Sequence, residues 1–351
     1  MFDILMAYFL NLIINGFLSF LMVWAAVEFF LFLLRVKNFR MRAIFLLLPI
    51  IKIIVDPFLY DFSSWSFLQG INPLTAKGGT RTLRATLGYE GFTEGVPIFF
   101  TFQAFTEEGA TFTISDLFFF LYDSFFLRGA IFVFVLFTVY KAIIGIKKQK
   151  ELQIYLGSIV RESHPCRREV LNRRLLTKIE KFSIRVFLRE DFISPFSFWS
   201  RGPCIVFPRR LLQSLSQGEY EAVLGHELGH IYWRDGFLKR LFHFLQEVFW
   251  WIPMKKAFQK LERCMEFSCD RAIHGYSIDP INLAGALLKT ARFKKAEEPS
   301  TVCRFASGKK LSERIARLFS DSKESKILFY FQMVGIACLS IALLFARLWI
   351  F

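Results

Sequence analysis

The stretch Ser216-Gln217-Gly218-Glu219-Tyr220-Glu221-Ala222-Val223-Leu224-Gly225-His226-Glu227-Leu228-Gly229-His230-Ile231 decides how the rest of the chain is read. Ser216 followed by Glu219 is the pattern of a capping box, so a helix is predicted to begin there. His226 and His230 then stand one turn apart on one face, and Val223, Leu224 and Ile231 are predicted to fix the helix in a core. Two imidazoles at that spacing bind a single metal ion, Zn2+ above all, and the intervening Glu227 reaches a metal-held water as general base. The competing reading is a chance pairing of two buried histidines. With five histidines in the chain, such a string is expected about 0.004 times by composition alone. A structural metal site usually fills all four positions, mostly with Cys, whereas three N or O ligands leave one for water.

A third ligand is sought in Glu262-Arg263-Cys264-Met265-Glu266-Phe267-Ser268-Cys269-Asp270, which reads as a second helix with Glu266 and Asp270 on one face. Trp250-Trp251-Ile252-Pro253 supplies a turn that brings this helix back antiparallel to the preceding segment. Glu266 is the candidate ligand, with Glu262 one turn earlier as the alternative, and Asp270 is placed to orient a histidine. The bland reading of these acids is a solvated helix face. For a second donor to a developing oxyanion, the sequence offers His274, Tyr232, Arg271 and Arg314 without deciding among them.

Outside this region the composition changes character. The chain of 351 residues is 54% hydrophobic with 45 Phe, yet 21% charged with a net charge of +15, so apolar and charged residues must occupy different segments. Four stretches qualify as membrane spans. Ile4 to Leu34 is long, and Ala43 to Leu59 is shorter and carries Lys52 and Asp56, which can pair one turn apart. Leu117 to Ile146 and Ile327 to Phe351 complete the set. Met1-Phe2-Asp3 lacks the positive start of a signal peptide, so the first span is read as retained.

Lys and Arg follow the first span (Arg35, Lys37, Arg40, Arg42) and the third (Lys147, Lys148, Lys150), which marks both sites as cytoplasmic. The loop from Tyr60 to Asp116 carries a net −3 and reads as external, whereas Lys147 to Lys326 carries +14. The expected organisation is residues 1–59 as the first two membrane helices, 60–116 as an extracytoplasmic loop and 117–146 as the third helix. Residues 147–326 then form the cytoplasmic metal-binding domain, and 327–351 the fourth helix, with both termini outside. The setting is a bacterial-type inner (cytoplasmic) membrane, crossed several times.

Within residues 147–326, Lys147 to Lys181 is helical with a break at His164-Pro165, and Phe182 to Phe207 turns to strand patterning around a Ser200-Arg201-Gly202-Pro203 turn. Phe237 to Trp251 reads as an amphipathic helix resting on the membrane or on the domain core, since its charged residues oppose a fifth span. The basic balance fits a face beside anionic membrane lipid, and no direct nucleic-acid binding is expected, because no nucleic-acid fold is recognisable. The six cysteines are scattered. Five fall in the domain expected to be cytoplasmic, so no disulfide framework is expected.

At this point the sequence resembles peptidase family M56, the integral-membrane zinc metalloproteases typified by the antibiotic-sensing receptors BlaR and MecR. The likeness runs through Ser194-Pro195-Phe196-Ser197-Phe198, Cys204-Ile205-Val206-Phe207-Pro208, His226-Glu227-Leu228-Gly229-His230-Ile231 with Arg234-Asp235, Trp250-Trp251, Glu266-x-x-Cys269-Asp270 and, more loosely, Leu311-Ser312-Glu313-Arg314-Ile315. The resemblance implies one Zn2+ per chain held by His226, His230 and Glu266, with Glu227 as catalytic base and Asp235 and Asp270 behind the ligands. It implies a membrane α-helical protein of about four transmembrane helices with an inserted cytoplasmic α+β zincin (gluzincin-like) metalloprotease domain. The expected function is endopeptidase cleavage of a cytoplasmic protein, repressor-like or the protease itself, in signal transduction. His274 is a candidate transition-state residue. The strand Cys204, Ile205, Val206 and Phe207 is a candidate platform for an extended substrate, or else an internal core strand.

Antibiotic receptors of that family carry an external penicillin-binding domain after the fourth span, and this sequence ends at Phe351 within it, so the resemblance carries no expectation of β-lactam sensing. If a signal is sensed, the candidates are the external loop from Tyr60 to Asp116 and a separate sensor partner; otherwise the loop simply packs on the spans. Two alternatives remain at this level: a membrane quality-control protease of the neighbouring family M48, and a zinc-stabilised membrane scaffold that does not cut, which an intact Glu227 opposes.

Overall fold

A computed structural model describes residues 2–62, 103–105, 111–113, 125–190, 194–297, 304–319 and 326–350. Most of the loop expected to be external therefore lies outside the described residues, apart from a short antiparallel pair, β1 (Gln103–Phe105) and β2 (Thr111–Thr113). The chain is mostly helical. It opens with α1 (Phe2–Leu33), α2 (Phe39–Leu46) and α3 (Leu48–Phe62) and continues with α4 (Phe125–Glu162). After β3 (His164–Pro165) and α5 (Arg173–Lys181) come β4 (Arg185–Arg189), β5 (Phe196–Trp199) and β6 (Pro203–Pro208). The remainder is α6 (Arg209–Ser214), α7 (Gln217–Tyr232), α8 (Asp235–Val248), α9 (Met254–Ala272), a 3-10 turn (Ile273–Tyr276), α10 (Pro280–Glu297), α11 (Arg304–Leu318) and α12 (Lys326–Ile350).

Among the described residues one helix is long and apolar enough to cross a membrane, Gly129–Glu162, with a mean hydropathy of 2.2 in its most apolar stretch. It corresponds to the third expected span but does not stop at the basic residues after Ile146. The same helix runs on to Glu162, carrying Gly145 and Gly157 within it, because no Pro interrupts it until Pro165. The described parts of the first and fourth stretches hold shorter apolar helices, Ser19–Leu33 and Tyr330–Leu344. The second expected span is divided at Leu47 into α2 and α3, with Pro49 in the first turn of α3, where a missing N–H costs nothing. Lys52 is buried, and its ammonium donates to the carbonyl of Leu344 at 2.7 Å. The side chain of Asp56, its expected partner, lies outside the described residues.

The sheet order is β3-β4-β6-β5, with β4 and β6 parallel and the outer pairs antiparallel. The turn between β5 and β6 needs the left-handed region at Arg201 and Gly202, matching the turn expected there. Every residue of β6 is buried. Ile205 and Phe207 enter the core built on α7, while Cys204 and Val206 face the C-terminal end of α4 with Leu156 and Ile159. A strand covered on both faces reads as a continuous apolar run, as this one does.

A second core joins the N-terminal helices to the hairpin α8–α9. Phe20, Val23 and Val27 of α1, Met41 and Phe45 of α2, Phe242 and Leu245 of α8, and Phe258, Leu261 and Met265 of α9 belong to one buried cluster. The hairpin turns at Trp250-Trp251-Ile252-Pro253, and both tryptophans pack on Phe134 of α4 at 4.9 and 5.0 Å between ring centres. The segment Phe237 to Trp251 therefore rests on the helix bundle, with Lys141 and Lys148 of α4 pairing with Glu247.

Candidate metal centre

Helix α7 begins as its sequence predicts. The Ser216 hydroxyl accepts from the backbone N–H of Glu219 at 3.2 Å, and the Glu219 carboxylate accepts from the N–H of Ser216 at 2.7 Å. The helix is buried almost throughout, which fixes its rotation and turns His226, Glu227 and His230 into one cleft of about 330 Å3. Its other walls come from β5 with the preceding Ser194-Pro195, from Lys239 of α8, from Glu266 of α9, from Leu283, Ala286, Leu287 and Thr290 of α10, and from Arg314 of α11.

Glu266 reaches the two histidines because α9 passes very close to α7. A Cβ on Gly229 would lie 3.0 Å from Cys269 Sγ and 3.3 Å from its Cα, so a residue without a side chain is needed at this crossing. His226 Nε2 and His230 Nε2 are 3.2 Å apart, and each lies 3.6 Å from an oxygen of Glu266. Glu262 does not line the cleft, so of the two acids weighed as third ligand Glu266 is the one brought to the histidines.

Behind the two histidines stand two carboxylates. Asp235 Oδ2 lies 2.9 Å from His230 Nδ1, and Asp270 Oδ1 lies 3.0 Å from His226 Nδ1, within ion-pair range though off the axis of the ring N–H. Arg314 grips Asp270 with two bonds, at 2.9 and 2.6 Å, and approaches Glu266 at 3.5 Å. Lys239 donates to Glu266 at 3.2 Å. Burial opposes charge on Glu266, yet the surrounding histidines and Lys239 hold its pKa well below the ordinary carboxylate range. Burial likewise disfavours the His226 cation, but Asp270 and Glu266 outweigh it and raise that pKa to about 9.

This arrangement fits a metal ion. With each Nδ1 turned to a carboxylate, each Nε2 presents its lone pair toward the other and toward Glu266, a set of acceptors that repel unless a proton or cation sits among them. The 3.2 Å separation of the two nitrogens is close to the roughly 3.3 Å edge expected for two nitrogens on one tetrahedral zinc. His230, Asp235 and Cys269 also converge. Burial pushes the Cys269 thiol well up, so it remains protonated, and this group is a hydrogen-bond network behind His230.

Two of the remaining candidates lie away from the cleft. His274 is exposed in the 3-10 turn and faces a small separate pocket with Phe39 and Arg317. Of the four candidate oxyanion donors only Arg314 lines the cleft. The strand Cys204, Ile205, Val206 and Phe207 is internal, hydrogen-bonded to β4 on one side and β5 on the other, so it has no edge to offer a peptide. The strand beside the cleft is β5, paired on one side among the described residues. Sequence reading missed Lys239, which counted only as a charge against a fifth span. Lys239 stands one helical turn beyond Asp235 on the face that α8 turns to the cleft, and that face was fixed only by packing.

A buried α-helical histidine pair, an acidic third partner and a second glutamate lining the same cleft form a set that fits a metallopeptidase-type site. The model of the BlaR1 peptidase M56 family matches residues 129–318, more than half of the chain, from the long apolar helix α4 through α11. The chain belongs to this family of membrane-associated metallopeptidases, which decides for M56 over the M48 reading. No curated protein matches it significantly.

Proposed function

We propose that this protein is a zinc-dependent endopeptidase of the inner membrane, with its catalytic domain on the cytoplasmic side of about four membrane helices in a gluzincin-like arrangement. The observation that carries the reading is the convergence of His226, His230 and Glu266 beside Glu227 in one cleft. His226, His230 and Glu266 hold the ion, and Asp235 and Asp270 keep the two rings oriented. When bound, zinc supplies a Lewis acid that lowers the pKa of water and draws charge from a peptide carbonyl. Glu227 accepts the proton of the attacking water and passes it to the departing amine. Arg314 sits where a positive charge favours an oxyanion, and its position is fixed by Asp270.

The substrate is an extended peptide that adds to the open side of β5, directed by the apolar wall of Val223, Leu283, Ala286 and Leu287. A cytoplasmic repressor or a segment of the protease itself fits the cytoplasmic orientation, and the role is signal transduction with the external loop or a sensor partner as input. The test compares full-length wild type with Glu227→Gln in detergent, with and without a zinc chelator, on an unfolded protein substrate. Fragments are expected only from chelator-free wild type, with zinc content equal in both proteins. Fragments from Glu227→Gln at the wild-type rate would sink the reading, and zinc retention without turnover in any condition would favour the scaffold.

A further inference from the structure

Arg40 enters the metal site from α2, the connection between α1 and α3, outside the family-matched residues. Its Nη1 donates to Asp235 Oδ1 at 2.8 Å and its Nη2 to the carbonyl of Trp233 at 3.3 Å, while the guanidinium lies over the Trp233 ring, 4.2 Å from its centre. The other oxygen of the same carboxylate faces His230 Nδ1 at 2.9 Å. Asp235 is fully buried, and a buried carboxylate needs charged partners to stay ionised.

We propose that Arg40 is a positioning residue for the metal site: it pins Asp235, and through it the His230 ring, so that the placement of α2 among the N-terminal helices sets the geometry of a metal ligand. A carboxylate held at one oxygen only can rotate about its own axis, whereas one pinned at both oxygens offers His230 a single direction. Arg40 is itself held. Asn38 caps α2 by accepting from the N–H groups of Arg40 and Met41 at 3.0 and 3.2 Å, and Phe39 packs on Phe267 of α9 at 5.1 Å between ring centres. Shifting α2 by about 1 Å stretches the Arg40–Asp235 bond beyond hydrogen-bonding range. A rearrangement of α1 to α3 therefore reaches His230 through one side chain.

The inference rests on His230 being a zinc ligand, and its test separates the two claims. Full-length protein in detergent is titrated with zinc alone against a competing chelator, as wild type, Arg40→Gln, Arg40→Lys, Asp235→Asn and the Arg40→Gln/Asp235→Asn double variant. The visible bands of the cobalt-loaded proteins report ligand geometry. Arg40→Gln is expected to weaken zinc binding about 10-fold, within the range for groups behind metal ligands, and to alter the cobalt bands. Arg40→Lys, which keeps one charged contact but loses the fork and the stacking, is expected to fall between. The double variant is expected to bind zinc as Asp235→Asn does, because Arg40 acts through Asp235. Wild-type affinity in Arg40→Gln, or additive losses in the double variant, would overturn the role of Arg40. If Arg40→Gln does not fold, wild-type affinity and bands in Arg40→Lys overturn it equally. A wild-type protein that takes up no zinc would instead overturn the metal assignment, and this inference with it.

Discussion

Gly229 and Cys269 meet backbone to side chain where α7 crosses α9, with room for no Cβ on the glycine without a shift of a few tenths of an ångström. The contact lies one residue before His230 and three after Glu266, so the spacing of the two helices is also the spacing of the candidate ligands.

Gly229→Ala is therefore expected to cost stability despite the higher helix propensity of alanine. Overpacking at a rigid contact costs about 1–3 kcal/mol, against a gain of at most about 1 from replacing glycine. Zinc affinity is expected to fall with it. Thermal unfolding and chelator competition on the same preparation check both, and unchanged zinc affinity would show that the crossing does not set the ligand distance.

Metal uptake is expected to release a proton. In the metal-free protein the His226 pKa stands at about 9, so at pH 7 the ring is charged, and a metal must displace that proton to bind Nε2. Apparent affinity then rises about tenfold per pH unit as pH increases toward 9 and levels off above it. Calorimetric titrations in buffers of different ionisation enthalpy measure the proton count, and zero released at pH 7 would contradict the geometry around His226.

The start of α7 carries its own pH dependence. Burial pushes the Glu219 pKa up, but Lys289 and the Ser216 N–H outweigh it and leave the pKa below its ordinary value. With the folded pKa depressed, the stabilisation is present above the unfolded value near 4.5 and is lost as pH falls through the folded value. Ser216→Ala is expected to cost about 1 kcal/mol at neutral pH, and Glu219→Gln to flatten the stability curve below about pH 4.5. Thermal unfolding between pH 3 and 7 resolves both, and a parallel curve for Glu219→Gln would assign the acid sensitivity elsewhere.

Arg314 holds Asp270 with two bonds and, more loosely, Glu266. Arg314→Ala leaves the buried Asp270 without its guanidinium, a loss of about 3–5 kcal/mol for a broken buried pair. Arg314→Lys keeps the charge but cannot form the two-point grip, so it is expected to fold and to cleave at least tenfold more slowly at unchanged zinc content. Cleavage at the wild-type rate would remove Arg314 from the oxyanion role.

The local chemistry was legible in the sequence because it depends on short spacings. Ser216 with Glu219 makes a cap wherever that helix is placed, and four residues put His226 and His230 on one face of any α-helix. The pairing of strands was not legible: Cys204 to Phe207 is apolar on both faces, and such a run does not say whether its neighbours leave an edge open. β4 and β5 close both sides of it. The helical break at His164-Pro165 was visible as a proline, whereas the passage of α4 straight through the basic residues after Ile146 was not, since charges mark an interface without ending a helix. The candidate third ligand was narrowed to Glu262 or Glu266 by sequence, and the Gly229–Cys269 crossing is what brings Glu266 to the histidines. Lys239 and Arg40 took their places at the site by packing alone. They lie on segments 27 residues before and 195 residues before their partners, Glu266 and Asp235, and no local spacing relates them. Sequence by itself determines what a turn of helix can present. Which turns face one another is decided by the burial of apolar surface across the whole chain, and only the tertiary structure carries that.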